Sequence, residues 1–248
     1  MKKPSLLTRI NLLTRAIIFL ILLVVTLAPY SVLCLMAFIF PLRVRYAMVT
    51  GWTRLMVWFL RKICSLEYDI EGLENIPKDR NGIVLSKHQS TWETFLLPSL
   101  FPLSAIITKR ELTWVPCFGW GLVASEPIAI NRSDKSSAME QILTKGKQAL
   151  DQGRWIIIFP EGTRIAPGSA GNYRSGGARL AIHAGNYPII PVAHNAGYFW
   201  RKGQFAKKPG TIKVVIGPAI ETKGRTPEDI MDEVKDWIET TAKRIGGE

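Results

Sequence analysis

The sequence predicts an α/β protein, a sheet covered by helices, preceded by an N-terminal helical membrane module. A long apolar run without charges occupies residues 16–40. From about residue 66 onwards, short apolar runs alternate with amphipathic helical patterns, which is typical of a sheet with helices on its faces. We therefore assign residues 1–65 to the membrane module and residues 66–248 to the α/β domain.

The apolar run is long enough to cross a bilayer. As one helix, residues 16–40 would span about 37 Å, against a hydrocarbon core of roughly 30 Å. A cleaved signal peptide has an apolar region of only about 7–15 residues, which makes that alternative less favourable. Pro29 either kinks one spanning helix or marks a turn between two shorter ones.

Basic residues lie on both sides of the run, so they do not fix the orientation of a single span. They also fit a re-entrant helical pair whose two ends lie on one face of the membrane. Residues 46–63 add tryptophans and basic residues to an apolar stretch, as interfacial helices do. The basic residues concerned are Lys2, Lys3, Arg9 and Arg15 before the run, and Arg43, Arg45, Arg54, Arg61 and Lys62 after it.

The second part of the chain has the pattern of a sheet protein. Apolar positions recur at helical spacing after Ser133, a potential helix cap, and Gly153 ends that helix. Near the C-terminus, Thr226 and Pro227 are typical cap and first-turn residues. One apolar stripe follows them, formed by Ile230, Val234, Trp237, Ile238 and Ile245. The predicted strands are 82–87, 104–109, 125–130, 155–159, 188–194 and 211–217.

Charge and cysteine content restrict the possible partners. The chain has 32 Lys and Arg against 20 Asp and Glu, a formal charge of +12. Such a chain binds nucleic acid, anionic membranes or anionic small molecules. The apolar segment favours the membrane, and no nucleic-acid-binding motif is present. Three scattered cysteines fit neither a disulfide framework nor a zinc site. We expect no metal, no cofactor and a reducing, cytoplasmic environment.

His88 is a candidate general base. It comes directly after an apolar strand, and Glu93 follows five residues later. If a helix begins near Ser90, the carboxylate of Glu93 can reach back to the imidazole, hold it and stabilise its protonated form. A surface histidine near a helix cap is the alternative for an isolated pair of this kind.

A second polar motif, residues 159–164 with the sequence FPEGTR, follows another predicted strand. Open α/β sheets bind ligands at the carboxyl ends of their strands. Gly162 permits a tight turn, and Arg164 offers a planar fork for a phosphate. Glu161 can accept hydrogen bonds from a polyol hydroxyl. Taken alone, the motif also fits a polar turn with a surface ion pair.

Together the two motifs resemble the 1-acylglycerol-3-phosphate acyltransferase family, over roughly residues 70–220. The segment from His88 to Glu93 is similar to the His-x4-Asp motif of that family, with glutamate in place of the usual aspartate. Residues 159–164 match its third block. Three other segments also resemble family blocks in the right order, namely 121–132, 175–181 and 189–192.

The resemblance implies a glycerol-phosphate acyltransferase-like sheet and transfer of a fatty-acyl group. The donor would be acyl-ACP or acyl-CoA, and the acceptor a lysophospholipid, the sn-2 hydroxyl of 1-acyl-glycerol-3-phosphate, which would give phosphatidate. His88 would remove the hydroxyl proton and Glu93 would support it. The residues expected to position the substrate are Arg132, Glu161, Gly162, Thr163 and Arg164, with Lys109 and Arg110 as further phosphate candidates.

Three alternatives remain open at this point. The acceptor is another lyso-lipid, such as a lyso-ornithine lipid, or the chain is a non-catalytic membrane lipid-binding protein. A serine hydrolase is disfavoured because no Gly-x-Ser-x-Gly motif occurs. We assign structural roles to His183 and His194. We expect the protein in a membrane, with its active site on the cytoplasmic face, which would be the inner membrane in a bacterium.

Overall fold

A seven-stranded sheet lies between two helical layers in the computed structural model, which describes residues 5–131 and 134–246. Two long N-terminal helices precede the sheet, and five more helices connect or follow its strands. The helices are α1 (Leu6–Met36), α2 (Leu42–Cys64), α3 (Trp92–Leu100), α4 (Phe118–Ala124), α5 (Lys135–Asp151), α6 (Gly176–Gly185) and α7 (Pro227–Ile245).

The sheet is mixed, with the order β1-β7-β6-β2-β5-β3-β4. Neighbours pair in parallel except β6 and β7, which are antiparallel, so β1 and β7 run opposite to the other five strands. The strands are β1 (Leu66–Glu71), β2 (Ile83–Ser86), β3 (Ala105–Lys109), β4 (Ile128–Ile130), β5 (Ile156–Ile158), β6 (Ile189–His194) and β7 (Gly210–Ile216).

The first two helices form a hairpin. Helix α1 continues through Pro29, and the chain turns back only after a short 3-10 segment, Ala37–Ile39. Side chains join the two helices along their length: the Tyr30 hydroxyl donates to the Met48 carbonyl at 2.6 Å, and the Trp52 indole donates to Thr26 Oγ1 at 3.1 Å. Pro29 therefore does not divide the apolar run into two helices.

Helix α1 exposes many large apolar side chains, as a lipid-facing helix does. Among the described residues, it is the one helix whose length and composition suit a membrane span. Its exposed apolar residues include Leu6, Leu7, Ile10, Leu13, Ile17, Ile18, Leu20, Ile21, Val24 and Val25.

Helix α2 is a structural part of the sheet domain. Its Met56, Leu60 and Cys64 are almost fully buried in the same core as Val84 of β2 and Trp92 of α3. Helices α5, α6 and α7 cover the opposite face of the sheet in a second core. Helix α2 therefore covers part of one face of the sheet, while the domain boundary at residue 65 stays a prediction.

Five of the six predicted strands agree with the structure to within one residue at each end. The strand predicted at 125–130 is shorter, since Glu126 has a left-handed backbone (φ +50°) and its carbonyl accepts a hydrogen bond from buried Arg154. The edge strand β1 was not predicted. The side chain of Asp134 caps α5; the predicted cap, Ser133, lies outside the described residues. The Thr226 cap and the buried stripe of α7 are confirmed.

Candidate active site

His88 lies where the chain leaves β2, at the carboxyl end of the strand and just before α3. Its Nδ1 is 2.9 Å from Oε1 of Glu93, in the first turn of α3. The same carboxylate oxygen accepts hydrogen bonds from the backbone N–H groups of Gln89 and Ser90, at 2.9 and 2.8 Å. The expected contact between His88 and Glu93 is therefore present, and the backbone helps to fix it.

The Glu93 carboxylate is buried, with its side chain 1% exposed. Burial alone raises the pKa of this carboxyl, but the His194 and His88 rings and the Ser90 N–H outweigh that effect, so the pKa of Glu93 is lowered. It is therefore ionised at neutral pH. An anion at Nδ1 favours the tautomer that carries a proton there, which leaves Nε2 of His88 able to accept one.

His194, at the end of β6, supports this pair from beneath. It is fully buried, and its Nε2 donates to the Lys87 carbonyl at 2.8 Å while its Nδ1 accepts from the Ala196 N–H at 3.3 Å. Burial lowers the pKa of His194 and keeps the ring neutral, despite its Nε2 lying 4.0 Å from Glu93 Oε1. Its contacts are those of a structural residue, as expected.

The FPEGTR turn packs directly on the His88 segment. The Phe159 ring stacks on the His88 imidazole with centroids 4.1 Å apart and planes 20° apart. The Ile165 N–H donates to the His88 carbonyl at 2.8 Å. Gly162 has a left-handed backbone (φ +67°), and its N–H donates to the Phe159 carbonyl at 2.9 Å. The glycine therefore closes the turn, as its residue type predicted.

The position of Glu161 differs from the sequence-based expectation. Its side chain is fully buried beneath the site, where Oε1 accepts the His88 N–H at 2.9 Å and Oε2 pairs with Lys87 Nζ at 3.3 Å. Lys87 Nζ also pairs with Glu239 of α7 at 2.6 Å. Burial raises the pKa of Glu161 despite the Lys87 ammonium. With both oxygens engaged inside the protein, Glu161 holds the His88 backbone rather than facing a polyol.

Several cations surround the opening of the site. Arg164 and Lys109 line the same cavity as His88, together with Thr163 and Lys202. Lys202 Nζ donates to Thr163 Oγ1 at 3.2 Å. Arg110 instead lies over the Trp114 ring, 5.4 Å from its centroid. Arg132 lies outside the described residues.

The cavity has a volume of about 580 Å³ and lies between the sheet domain and the N-terminal hairpin, since residues of both line it. Its apolar part lies between α1, α2 and α4, with Leu23, Leu27, Tyr30, Trp52 and Phe118 among its lining residues. Its polar end contains His88 and the FPEGTR turn. His88 thus lies between an apolar space and a cationic opening, an arrangement suited to an amphipathic anionic substrate.

Three contributors to the site were not predicted as such. Lys87 and Glu239 form the buried ion pairs that anchor Glu161, and Lys202 reaches the opening from the loop between β6 and β7. Lys87 and Glu239 are far apart in sequence, so neither spacing nor periodicity brings them together. A lysine directly after an apolar strand was the one available signal for Lys87.

Comparison with known proteins gives consistent results. Residues 67–195 match the sequence model of the Acyltransferase family. A 1-acyl-sn-glycerol-3-phosphate acyltransferase of Pseudomonas aeruginosa is 46% identical over 212 residues, 84% of this chain and 81% of that protein. A protein of the same name from Limnanthes alba is 29% identical; the match covers 73% of this chain and 63% of that protein.

A solved structure has the same fold. The crystal structure of the 1-acyl-sn-glycerophosphate (LPA) acyltransferase from Thermotoga maritima matches with a TM-score of 0.79 and 24% identity, and the alignment covers 96% of this chain and 97% of that one. The expected acyltransferase-like α/β fold is thereby confirmed, including the N-terminal helices. With the family match over residues 67–195, these findings show that the chain belongs to the Acyltransferase family.

Proposed function

We propose that this protein transfers a fatty-acyl group from a thioester donor, acyl-ACP or acyl-CoA, to the sn-2 hydroxyl of 1-acyl-glycerol-3-phosphate, giving phosphatidate. The observation that carries the proposal is the 2.9 Å contact between His88 Nδ1 and Glu93 Oε1, at a cavity shared with Arg164. The Pseudomonas protein, whose name specifies acyl transfer with 1-acyl-sn-glycerol-3-phosphate, is 46% identical.

The reaction begins at His88 Nε2, which acts as the general base for the acceptor hydroxyl. The acceptor hydroxyl loses its proton to this nitrogen while its oxygen attacks the thioester carbonyl carbon. The C–S bond then breaks, and the thiolate takes up the proton from His88. The Glu93 carboxylate stabilises the imidazolium through Nδ1 during the step. Phe159 holds the ring in plane by stacking.

No acyl-enzyme intermediate is needed. Two serines lie two residues from His88 in sequence: the Ser86 hydroxyl donates to the Lys87 carbonyl at 3.0 Å, and the Ser90 hydroxyl accepts a hydrogen bond from the Trp92 N–H at 3.2 Å. Throughout residues 5–131 and 134–246, no serine hydroxyl is hydrogen-bonded to the His88 ring. Direct transfer between the two substrates is therefore favoured over a serine-hydrolase mechanism.

The two ends of the cavity suit the two ends of a lysophospholipid. Arg164, Lys109 and the Thr163 hydroxyl lie at the polar opening, where a phosphate has charged and neutral donors within reach. The apolar part between the helices of the hairpin suits a fatty-acyl chain. We infer that Arg132 also serves the acceptor, by its place in the family motif.

Membrane association follows from α1. Its exposed apolar side chains would be covered by lipid, and the cavity opens beside the hairpin so that a lipid substrate would reach His88 from the bilayer. We infer that the active site faces the cytoplasm, where both donors are found. Washing membranes with high salt should leave the full chain in the membrane fraction; release into solution would contradict this.

A substrate panel with purified protein in detergent tests the function. Acyl-CoA and acyl-ACP would each be offered with 1-acyl-glycerol-3-phosphate, lyso-ornithine lipid and monoacylglycerol, with His88→Ala protein as the control for contaminating activity. We expect the highest kcat/KM with 1-acyl-glycerol-3-phosphate. A higher value with lyso-ornithine lipid would contradict the proposed acceptor, and no transfer to any acceptor would favour a non-catalytic lipid-binding protein.

A further inference from the structure

The loop 199–208, between β6 and β7, is tightly constrained although it is mostly exposed. The Lys208 N–H donates to the Phe199 carbonyl at 2.8 Å and so closes its base. At its tip, the Gln204 N–H donates to the Arg201 carbonyl at 3.0 Å, and Gly203 provides the positive φ (+79°) that the turn needs. The Trp200 indole donates to the Gln204 carbonyl at 3.2 Å. The loop therefore presents its tip in a defined position.

Lys207 fixes the same loop to the N-terminal hairpin. Lys207 is buried, with 5% of its surface exposed. Its Nζ lies 4.7 Å from the ring centroid of Phe19 on α1 and 4.6 Å from that of Trp200. Phe205 completes the group at 5.3 Å. Aromatic faces attract a desolvated ammonium, so these rings hold the loop against α1.

The residue at the tip of the loop, Lys202, points into the substrate cavity. Its ammonium donates to Thr163 Oγ1 at 3.2 Å and lines the cavity with His88 and Arg164. None of the carboxylates that the structure describes forms an ion pair with Lys202. An ammonium has three donors, and the hydroxyl of Thr163 uses one of them, so the others are available to an anion.

We propose that Lys202 is a phosphate-binding residue for the acyl acceptor, acting together with Arg164 on the neighbouring turn. This inference rests on the proposed function, since it assigns a further ligand to the acceptor of that reaction. The constrained loop holds the ammonium beside the FPEGTR turn before substrate arrives. Thr163 orients it through their hydrogen bond. The two cations approach the phosphate from two separate elements, which restricts where the glycerol hydroxyl can lie relative to His88.

The test compares acceptors with and without a phosphate. Lys202→Met retains most of the apolar stem and removes the charge. We expect its kcat/KM with 1-acyl-glycerol-3-phosphate to fall about tenfold or more, mainly through KM, while kcat/KM with monoacylglycerol and the KM of the acyl donor stay unchanged. Lys202→Arg should recover most of the loss, because it restores the charge.

Lys208→Met serves as the matched control, since it removes a lysine from the same loop on the side that faces a different pocket. It should leave both acceptors unaffected. An equal loss on both acceptors in Lys202→Met, or no loss on either, would overturn the assignment of Lys202 while leaving the proposed function intact. Wild-type protein that fails to acylate 1-acyl-glycerol-3-phosphate would overturn both.

Discussion

The catalytic side of the site, His88 with Glu93, and the cationic side, Arg164 with Lys202 and Thr163, differ in the number of internal partners of their charged groups, although the buried Oε2 of Glu93 has no hydrogen-bond partner among the described residues. On the catalytic side, Glu93 Oε1 meets one imidazole and two backbone N–H groups, and the His88 ring rests on Phe159. On the cationic side, Thr163 and Lys202 are exposed and Arg164 is half-buried. The described carboxylates form no ion pair with either Arg164 or Lys202.

This difference indicates a division of tasks. Groups that must act on a reacting atom are held by contacts within the protein, because their catalytic value depends on precise geometry that is set in advance. Groups that recognise a charged headgroup are left without an internal counterion, because the substrate supplies it. Substitutions on the catalytic side should therefore lower turnover, and substitutions on the cationic side should weaken binding.

The largest effect is expected for His88→Ala. Loss of the general base should lower kcat by about 10²–10⁴-fold. A lower melting temperature is also expected, because the buried Glu93 carboxylate loses a partner and Phe159 loses its stacking contact, so turnover is compared at a temperature where the variant is folded. His183→Ala, at an exposed site on α6, is the matched control and should retain full activity. Near-normal turnover in folded His88→Ala protein would exclude the proposed mechanism.

Two substitutions of Glu93 distinguish the effect of its charge on turnover from the effect of its side-chain length. Glu93→Gln keeps the length of the side chain but removes the anion, and we expect kcat to fall about 10²-fold because the imidazolium loses its partner. Glu93→Asp keeps the charge and should lose about tenfold or less. Steady-state kinetics of both variants measure the difference. Equal activity of the Gln variant and the wild type would show that the charge of Glu93 plays no part in catalysis.

The contact between His88 and Glu93 was predictable because it is local. His88 and Glu93 are five residues apart at a junction between strand and helix, so the contact follows from the helix start alone. The strand ends that carry the two motifs were predictable for a similar reason, since continuous apolar runs identify buried parallel strands. The C-terminal helix was also predicted, from its cap and its apolar spacing.

What could not be predicted depends on contacts between distant segments. Glu161 was expected to face substrate, but Lys87 and the His88 N–H engage it from below, and Glu239 joins Lys87 from the last helix. The edge strand β1 was missed because half of its residues are acidic, a pattern that an exposed edge tolerates. The packing of α2 against the sheet could not be predicted from the sequence, because an amphipathic helix packs equally well on a membrane or on a sheet.

On the cationic side, Arg164→Ala should raise the KM for 1-acyl-glycerol-3-phosphate. A charge-assisted hydrogen bond to phosphate contributes about 1.5–3 kcal/mol, and the exposure of the site favours the lower end, a roughly tenfold effect. Arg164→Lys should recover part of the loss because it lacks the planar fork. The KM of the donor should not change.

The alternative for Arg164 was an ion pair with Glu161 that holds the turn. In the structure, the Glu161 carboxylate instead pairs with Lys87 and accepts a hydrogen bond from the His88 N–H. The melting temperature of Arg164→Ala should therefore equal that of the wild type. A lower melting temperature, with both substrates affected alike, would favour a role in folding over one in binding the acceptor.

The smallest effect is expected on stability in mild acid, and it tests the catalytic side. Burial lowers the pKa of His194 below its ordinary value of 6.5. Between that value and the lower folded pKa, the unfolded chain binds a proton that the folded chain excludes. The contribution of a neutral His194 to the free energy of unfolding is therefore fully present above pH 6.5. It is lost as the pH falls towards the pKa that His194 has in the folded protein.

Two nearby carboxyls also titrate in acid, so the effect of His194 has to be isolated by substitution. The pKa of Glu93 is lowered, and its contribution disappears only at more acidic pH, whereas the raised pKa of Glu161 acts with the opposite sign. His194→Gln can still donate to the Lys87 carbonyl without gaining a charge. Thermal unfolding in detergent between pH 7.5 and 5 should show a larger fall in melting temperature for the wild type than for this variant. Parallel curves for the two proteins would mean that His194 is not a buried neutral support of the catalytic pair, and that the catalytic side is less completely fixed by the protein than its geometry indicates.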